Sequence, residues 1–263
     1  DDSTAEPTLA ERLSAAGYST LLVSANQVID HDLFLRGHDV AVVHERVPAT
    51  PDADADAVAA FLQAWEDMPS PRFGWLQLLA GHDYFSRPDG DPGTPTDGAA
   101  LQSKWDWYAA DAAATDALLP DVFRLVPAEA GLTVLTSDHG ELFSDRGPFM
   151  IGPPDSFGHG EGNSPGELHV PLGLRGPGVT PGRRSTPTST LDLHGTLLAA
   201  AGIDLSTDLR TGAGPHVAGS SLCNLLNLQV TEGAGNMTVL VQADGSQLVR
   251  THSPDALPEA QRP

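Results

Sequence analysis

Cysteine and lysine are almost absent from this chain: Cys223 stands alone, and Lys104 is the sole lysine among 14 basic residues. One cysteine excludes an internal disulfide framework, and Cys223, in a Ser-Ser-Leu-Cys setting, reads as a small buried hydrophobe. No apolar run approaches the roughly 20 residues that span a bilayer, so membrane insertion is not expected. Positive charge is scarce as well. Against those 14 basic residues stand 35 acidic ones, a formal net charge of −21, which repels nucleic acid and anionic membranes and removes both as expected partners. Self-repulsion of that size is tolerable where molar salt screens it within about 3 Å. The composition therefore points to adaptation to high salt; a GC-rich genome, favouring Arg over Lys and Ala and Gly over bulkier residues, is the competing source. At 263 residues with 40% hydrophobic content, the chain can bury one sizeable core, and a single domain over residues 1–263 is expected. The expected location is cytoplasmic.

Apolar periodicity alternates between strand and helix. Leucines at helical spacing fill Thr8 to Ala16, and Leu21-Leu-Val23 and Val40 to Val43 read as short strands. Asp54 to Met68 reads as an amphipathic helix with Val58, Phe61, Leu62 and Trp65 on one face. Aspartates near its start favour the helix dipole. Phe73 to Leu79 is a third strand, followed by a loop rich in Pro, Gly and Asp. Leu101 to Val126 reads as helix with a break at Pro120. Leu132 to Ser137, Leu172 to Arg175, and a helix from Ser189 to Ala201 follow. Met237 to Thr251 reads as a hairpin through an Asp244-Gly245 turn. Such alternation implies an α/β fold, a mixed, mainly parallel sheet with helices on both faces.

Chemistry concentrates near the middle. The run from Gly131 to Thr136 ends in Ser137-Asp138-His139-Gly140-Glu141, and open α/β sheets bind ligands where strands end at their carboxyl edge. Asp138 offers a carboxylate oxygen and His139 an imidazole nitrogen. The pair suits Zn²⁺ or Mn²⁺, whereas Ca²⁺ prefers oxygens and would use Asp138 more readily than His139. The same letters also form turns and caps. His82 follows the apolar strand that starts at Phe73, and neighbouring strand ends would put it on one rim with Asp138. His159 lies between Gly158 and Gly160, which let the backbone approach an anion and leave the imidazole exposed. As imidazolium it can stabilise developing negative charge or give a proton to a departing alcohol. Asn26 sits at the end of another strand. His169, before Val-Pro-Leu, reads as a strand-entry residue. His31, His38, His44, His194, His216 and His252 read as ordinary surface or core histidines.

Four blocks in order, Thr136-Ser-Asp-His-Gly-Glu141, Gly158-His-Gly160, His169-Val-Pro-Leu172 and Arg175-Gly-Pro-Gly178, resemble the sulfatase branch of the alkaline-phosphatase superfamily. Upstream, Pro7 to Leu13 with Gly17-Tyr-Ser-Thr20 is similar to that family's helix and Gly-Tyr-x-Thr turn. Downstream, Thr190-Leu-Asp-Leu193, Thr196-Leu-Leu198 and Ala201-Gly-Ile203 resemble its Asp-x-x-Pro-Thr-Leu helix, with His194-Gly195 where proline is usual. The likeness reaches from about residue 7 to residue 226.

The resemblance implies an alkaline-phosphatase-like α/β fold, one divalent ion (Ca, Mg, Mn or Zn, with Ca favoured), and hydrolysis of a small-molecule or glycan sulfate ester. It assigns Asp138 and His139 as metal ligands, His82 and His159 as catalytic and substrate-contacting residues, and Asn26 as a substrate contact. Two departures stand out. The family's metal-binding aspartates and its Cys/Ser-x-Pro-x-Arg nucleophile precede the Thr8–Leu13 helix, and neither Asp1-Asp2 nor Cys223 reproduces them. A fragment lacking about one strand-helix-strand portion, inactive alone, is therefore expected. The Lys/His pair that many sulfatases carry near Asn26 is absent too. A phosphoester hydrolase or phosphoglycerol-type transferase of the same superfamily, and a non-catalytic binding module, remain the alternatives. The oligomeric state does not follow from the sequence.

Overall fold

The computed structural model describes residues 7–26, 29–30, 32–44, 51–82, 98–143, 157–159, 165–184, 188–190, 192–203, 226–231, 237–242 and 247–251. Asp1-Asp2, Asp83, Tyr84, Gly160, Cys223 and the Asp244-Gly245 turn lie outside them. The chain divides into two compact units, one comprising Asp1–Thr133 with Leu174–Pro177, the other Val134–Gly173 with Gly178–Pro263.

The first unit is built on a three-stranded parallel sheet in which β1 (Ser19–Ser24) lies between β2 (Val40–Val43) and β3 (Arg72–Gln77). Thr20 to Ser24 form an unbroken buried run, as expected for a central parallel strand covered on both faces. Leu21 and Val23 point to one face, where they join Ala57 and Phe61 of α3 (Pro51–Asp67) in the core. Leu22 points the other way and is also fully buried. Strand β1 touches α3 and α1 (Leu9–Ala15) alike.

Local chemistry starts α1 where the Thr-x-x-Glu spacing allows. Thr8 accepts from the Glu11 amide and Glu11 accepts from the Thr8 amide, a complete capping box. The Glu11 carboxylate is also gripped by Arg36, Nε to Oε1 at 2.8 Å and Nη2 to Oε2 at 2.9 Å. These hydrogen bonds, that to Arg36 first, hold its carboxyl below the usual range. Arg36 follows a short helix, α2 (Asp32–Leu35), which apolar periodicity does not reveal. The break at Pro120 separates α4 (Gly98–Asp116) from α5 (Leu119–Leu125), with the proline in the first turn of α5, where its missing N–H costs nothing.

In the second unit, β5 (Leu142–Phe143) pairs antiparallel with β6 (Phe157–Gly158), and α6 (Pro165–Leu168) and α7 (Asp192–Ala200) follow. Strands β8 (Leu226–Thr231), β9 (Met237–Gln242) and β10 (Gln247–Thr251) form an antiparallel meander. Among the described residues β3 pairs with β1, and β4 (Thr133–Thr136) pairs with β7 (Leu172–Arg175). Both strands leave a large apolar side chain exposed, Trp75 on β3 and Leu135 on β4. No helix of the described residues is long and apolar enough to cross a membrane.

Candidate metal and substrate site

Strand β4 ends at Thr136, and the next five residues form a tight, internally bonded turn. Ser137 Oγ donates to the His139 carbonyl at 2.6 Å, and Asp138 Oδ1 accepts from the His139 amide at 2.9 Å. Gly140 N donates to the Glu167 carbonyl of α6 at 2.7 Å. A Cβ on Gly140 would overlap the carbonyl oxygen of Gly166. Glycine is thus required here for close backbone approach rather than for a left-handed conformation.

The turn orients its histidine. His139 Nδ1 lies 2.7 Å from the Gly140 carbonyl oxygen; a carbonyl only accepts, so this nitrogen is the donor, and in the neutral ring the lone pair is on Nε2. Nε2 lies 3.9 Å from Asp138 Oδ1. One imidazole nitrogen and one carboxylate oxygen side by side are the donors a borderline divalent cation takes. The Nδ1–H to carbonyl bond is the outer-sphere contact that usually fixes a metal-binding histidine. The fit is partial: among the described residues no group of three or more His, Cys, Asp or Glu converges as a complete metal shell.

The second strand of the β5–β6 hairpin returns His159 to this turn. Gly158 adopts φ +103°, a left-handed conformation that favours glycine, and β6 ends there. The His159 and His139 rings lie with centroids 4.0 Å apart at an interplanar angle of 30°. Glu141, immediately before β5, is almost completely buried, and its Oε2 lies 3.2 Å from His159 Nδ1. Contrary to expectation, the flanking glycines do not leave the imidazole exposed: the ring packs between His139 and Glu141 and keeps only 26% of its side-chain surface. Sequence patterning offers no sign of this burial, though Glu141 belongs to the same Asp-His-Gly-Glu block and directly precedes the apolar Leu142.

Asn26 and His82 belong to the first unit. Asn26 follows β1, where its amide donates to Ser24 Oγ at 2.9 Å and Ser24 Oγ contacts Gln77 Oε1 at 3.1 Å. His82 closes a turn after β3, its amide donating to the Leu79 carbonyl at 2.8 Å. Both therefore follow neighbouring parallel strands at their carboxyl edge, where α/β sheets bind ligands. A surface cleft lined by Ser19, Val40 and Met68 sits at the amino edge of the same sheet and holds neither. His169 is exposed just before β7.

One further residue stands out from the expected pattern. Asp54, read from the sequence only as a helix-start aspartate that favours the dipole, is fully buried. Its carboxylate accepts from Leu79 N at 2.7 Å, from Ala80 N at 3.2 Å and from Thr115 Oγ1 at 2.8 Å. Burial raises its carboxyl above the usual range, against the lowering effect of those donors.

With a parallel α/β core and a strand-end Asp-His turn in place, comparison with known proteins defines the class. The sulfatase family model matches residues 1–203, and the chain belongs to the sulfatase family. It is 28% identical over 169 residues to the arylsulfatase K of Xenopus laevis, covering 62% of this chain and 28% of that protein. It is 36% identical over 96 residues to the choline-sulfatase of Rhizobium meliloti (strain 1021), covering 36% of this chain and 16% of the relative. The matches thus span less than a third of either relative. Among solved structures, BT4656 in complex with its substrate D-glucosamine-2-N,6-O-disulfate superposes with a TM-score of 0.63 at 12% identity, over 95% of this chain and 74% of that one. The lipoteichoic acid synthase LtaP from Listeria monocytogenes gives a TM-score of 0.55 at 13% identity, over 92% and 67%. These likenesses establish the alkaline-phosphatase-like α/β fold, and membership of the family implies a divalent metal.

Proposed function

We propose that this chain contributes to a hydrolase that cleaves sulfate esters at a divalent-metal site. The observation that carries the proposal is the joining of His139, His159 and Glu141 directly after β4, in a chain that belongs to the sulfatase family. Asp138 and His139 would hold one side of the cation, which when bound neutralises the nonbridging oxygens of the sulfate. Calcium is favoured by the family resemblance.

The reaction consumes water and converts R–O–SO₃⁻ into an alcohol and sulfate. Glu141 holds the His159 ring by Nδ1 and fixes its orientation, so Nε2 is the nitrogen that would give a proton to the departing alcohol oxygen. His82, at the carboxyl edge of the parallel sheet, would contact the sulfate or its ester oxygen, with Asn26 beside it at the end of the adjacent strand. The substrate class proposed is a small-molecule or glycan sulfate ester, in keeping with an arylsulfatase, a choline-sulfatase and a sulfated-glucosamine complex among the relatives. The acidic surface is proposed to be an adaptation to high salt. The fold shared with a lipoteichoic acid synthase favours one second reading, transfer or hydrolysis of a phosphate ester at the same metal.

The test is release of sulfate from 4-nitrophenyl sulfate and from a glucosamine sulfate by the full protein, with and without a chelator. Metal-dependent release of sulfate is expected. Release of phosphate from 4-nitrophenyl phosphate in preference to sulfate establishes the second reading instead, and a metal-loaded protein inert on both classes overturns the proposal.

A further inference from the structure

Helix α3 carries its buried carboxylate at the end of the sheet where His82 emerges. A carboxylate with no solvent contact is costly to keep, and this one is kept by three donors drawn from two other elements. Leu79 N and Ala80 N belong to the turn after β3, and Thr115 Oγ1 belongs to α4. Two residues beyond Ala80 stands His82, whose amide closes the same turn on the Leu79 carbonyl at 2.8 Å. The far side of the turn is packed by α4 as well, since a Cβ on Gly81 would lie 3.7 Å from the Tyr108 ring.

We propose that Asp54 is a positioning residue: its carboxylate ties the Leu79–Ala80 turn to α3 and α4 and so fixes where the His82 imidazole stands when substrate is bound. The catalytic part of this inference rests on His82 being a substrate contact, as proposed above; the clamp itself rests only on the hydrogen bonds. Asparagine could keep the Leu79 and Ala80 amides on its oxygen and donate to Thr115 Oγ1, which as a hydroxyl also accepts; leucine, of similar size, leaves all three donors without an acceptor. The turn would then be free to sample other conformations, and a misplaced contact group costs rate out of proportion to the distance moved.

Asp54→Leu, His82→Ala and the double variant of the full protein test this. Amide hydrogen exchange is followed at residues 79–82, and kcat and KM are measured on 4-nitrophenyl sulfate. In Asp54→Leu, exchange at Leu79 and Ala80 is expected to accelerate, and kcat/KM to fall by roughly tenfold. In the His82→Ala background the same substitution is expected to change kcat/KM by less than about twofold, because the group it positions is gone. If Asp54→Leu does not fold, Thr115→Val removes one donor and should accelerate exchange at the same amides to a smaller degree. Unchanged exchange at residues 79–82 in a folded variant overturns the clamp. A loosened turn together with unchanged kcat/KM in His82→Ala overturns the use of His82 by substrate, and with it the catalytic part of the inference, while supporting the clamp.

Discussion

The imidazoles of His139 and His159, twenty positions apart in the chain, lie with their centroids 4.0 Å from one another, each ring held at Nδ1 by a different oxygen. For His139 the holder is the Gly140 carbonyl, and for His159 it is the Glu141 carboxylate. Adjacent residues of one turn thus orient two histidines for two proposed tasks, a metal ligand and a proton donor.

That division of labour predicts different losses. Glu141→Gln leaves a group of the same shape beside His159 but exchanges a charged acceptor for a neutral one, weakening the hydrogen bond that orients the ring. It should lower kcat by roughly 10²-fold, in the range of general acid catalysis, with little change in KM. His159→Asn should cost an alkyl sulfate more than 4-nitrophenyl sulfate, whose leaving group departs without a proton. Equal losses on the two substrates would remove His159 from the role of acid.

Substituting Asp138 or His139 should act on the metal first. Asp138→Asn and His139→Ala are each expected to lower affinity for the divalent ion by at least about tenfold, measured by titration calorimetry of the full protein. Activity should return, in part, at raised metal concentration. Loss of activity without loss of affinity would place neither residue in the metal shell.

Gly140→Ala should be the most damaging small substitution in the turn. The new methyl group meets the Gly166 carbonyl oxygen, a backbone atom that can yield only if α6 shifts and the Gly140 to Glu167 hydrogen bond is strained. Overpacking of this kind costs about 1–3 kcal/mol. Denaturant unfolding should show the loss, and serine at the same position should be no better, since any Cβ meets the same oxygen.

Much of this architecture is legible in letters alone, for reasons that differ by residue. The alternation of elements follows from apolar spacing, and the α4–α5 break from Pro120. The strand-end cluster at Asp138 and His139 is legible because ligand-type side chains are unusual directly after a β-branched run. What letters hide are contacts set by tertiary packing. Nothing in Asp52-Ala-Asp54 distinguishes a solvated helix-start aspartate from a buried one, and the burial of Asp54 depends on amides 25 and 26 residues away. Likewise, glycines beside His159 allow exposure or enclosure; the buried carboxylate of Glu141 decides for enclosure. Short elements such as α2, α6 and the β5–β6 pair are too brief to show a period at all.

His38 predicts a pH dependence of stability rather than of activity. Its ring stacks on Phe73 at a centroid distance of 6.2 Å, and its Nδ1 is buried without a hydrogen-bond partner. Burial lowers its pKa below the usual 6.5, against a smaller raising effect of Asp39. The unfolded chain therefore binds a proton that the folded one refuses. The stability from this site is complete above pH 6.5 and declines as pH falls from there through the folded pKa. Denaturant midpoints measured between pH 8 and about 5 should fall towards acid, and His38→Phe should flatten that slope over the upper part of the window. An unchanged slope in the variant would assign the acid sensitivity to other groups.

A net charge of −21 sets the last expectation. At tens of millimolar KCl the Debye length exceeds 10 Å, so repulsion among carboxylates spread over the surface acts across much of each unit; at molar KCl it shrinks to about 3 Å and the same charges hardly feel one another. Folding should therefore strengthen steeply as KCl is raised. A salt that also favours burial of apolar surface, such as sulfate, should act in the same direction at lower concentration, and comparison of the two separates screening from the hydrophobic contribution. If the unfolding midpoint does not fall as KCl is lowered from molar to tens of millimolar, the acidic composition reflects nucleotide bias in the coding sequence rather than adaptation to salt.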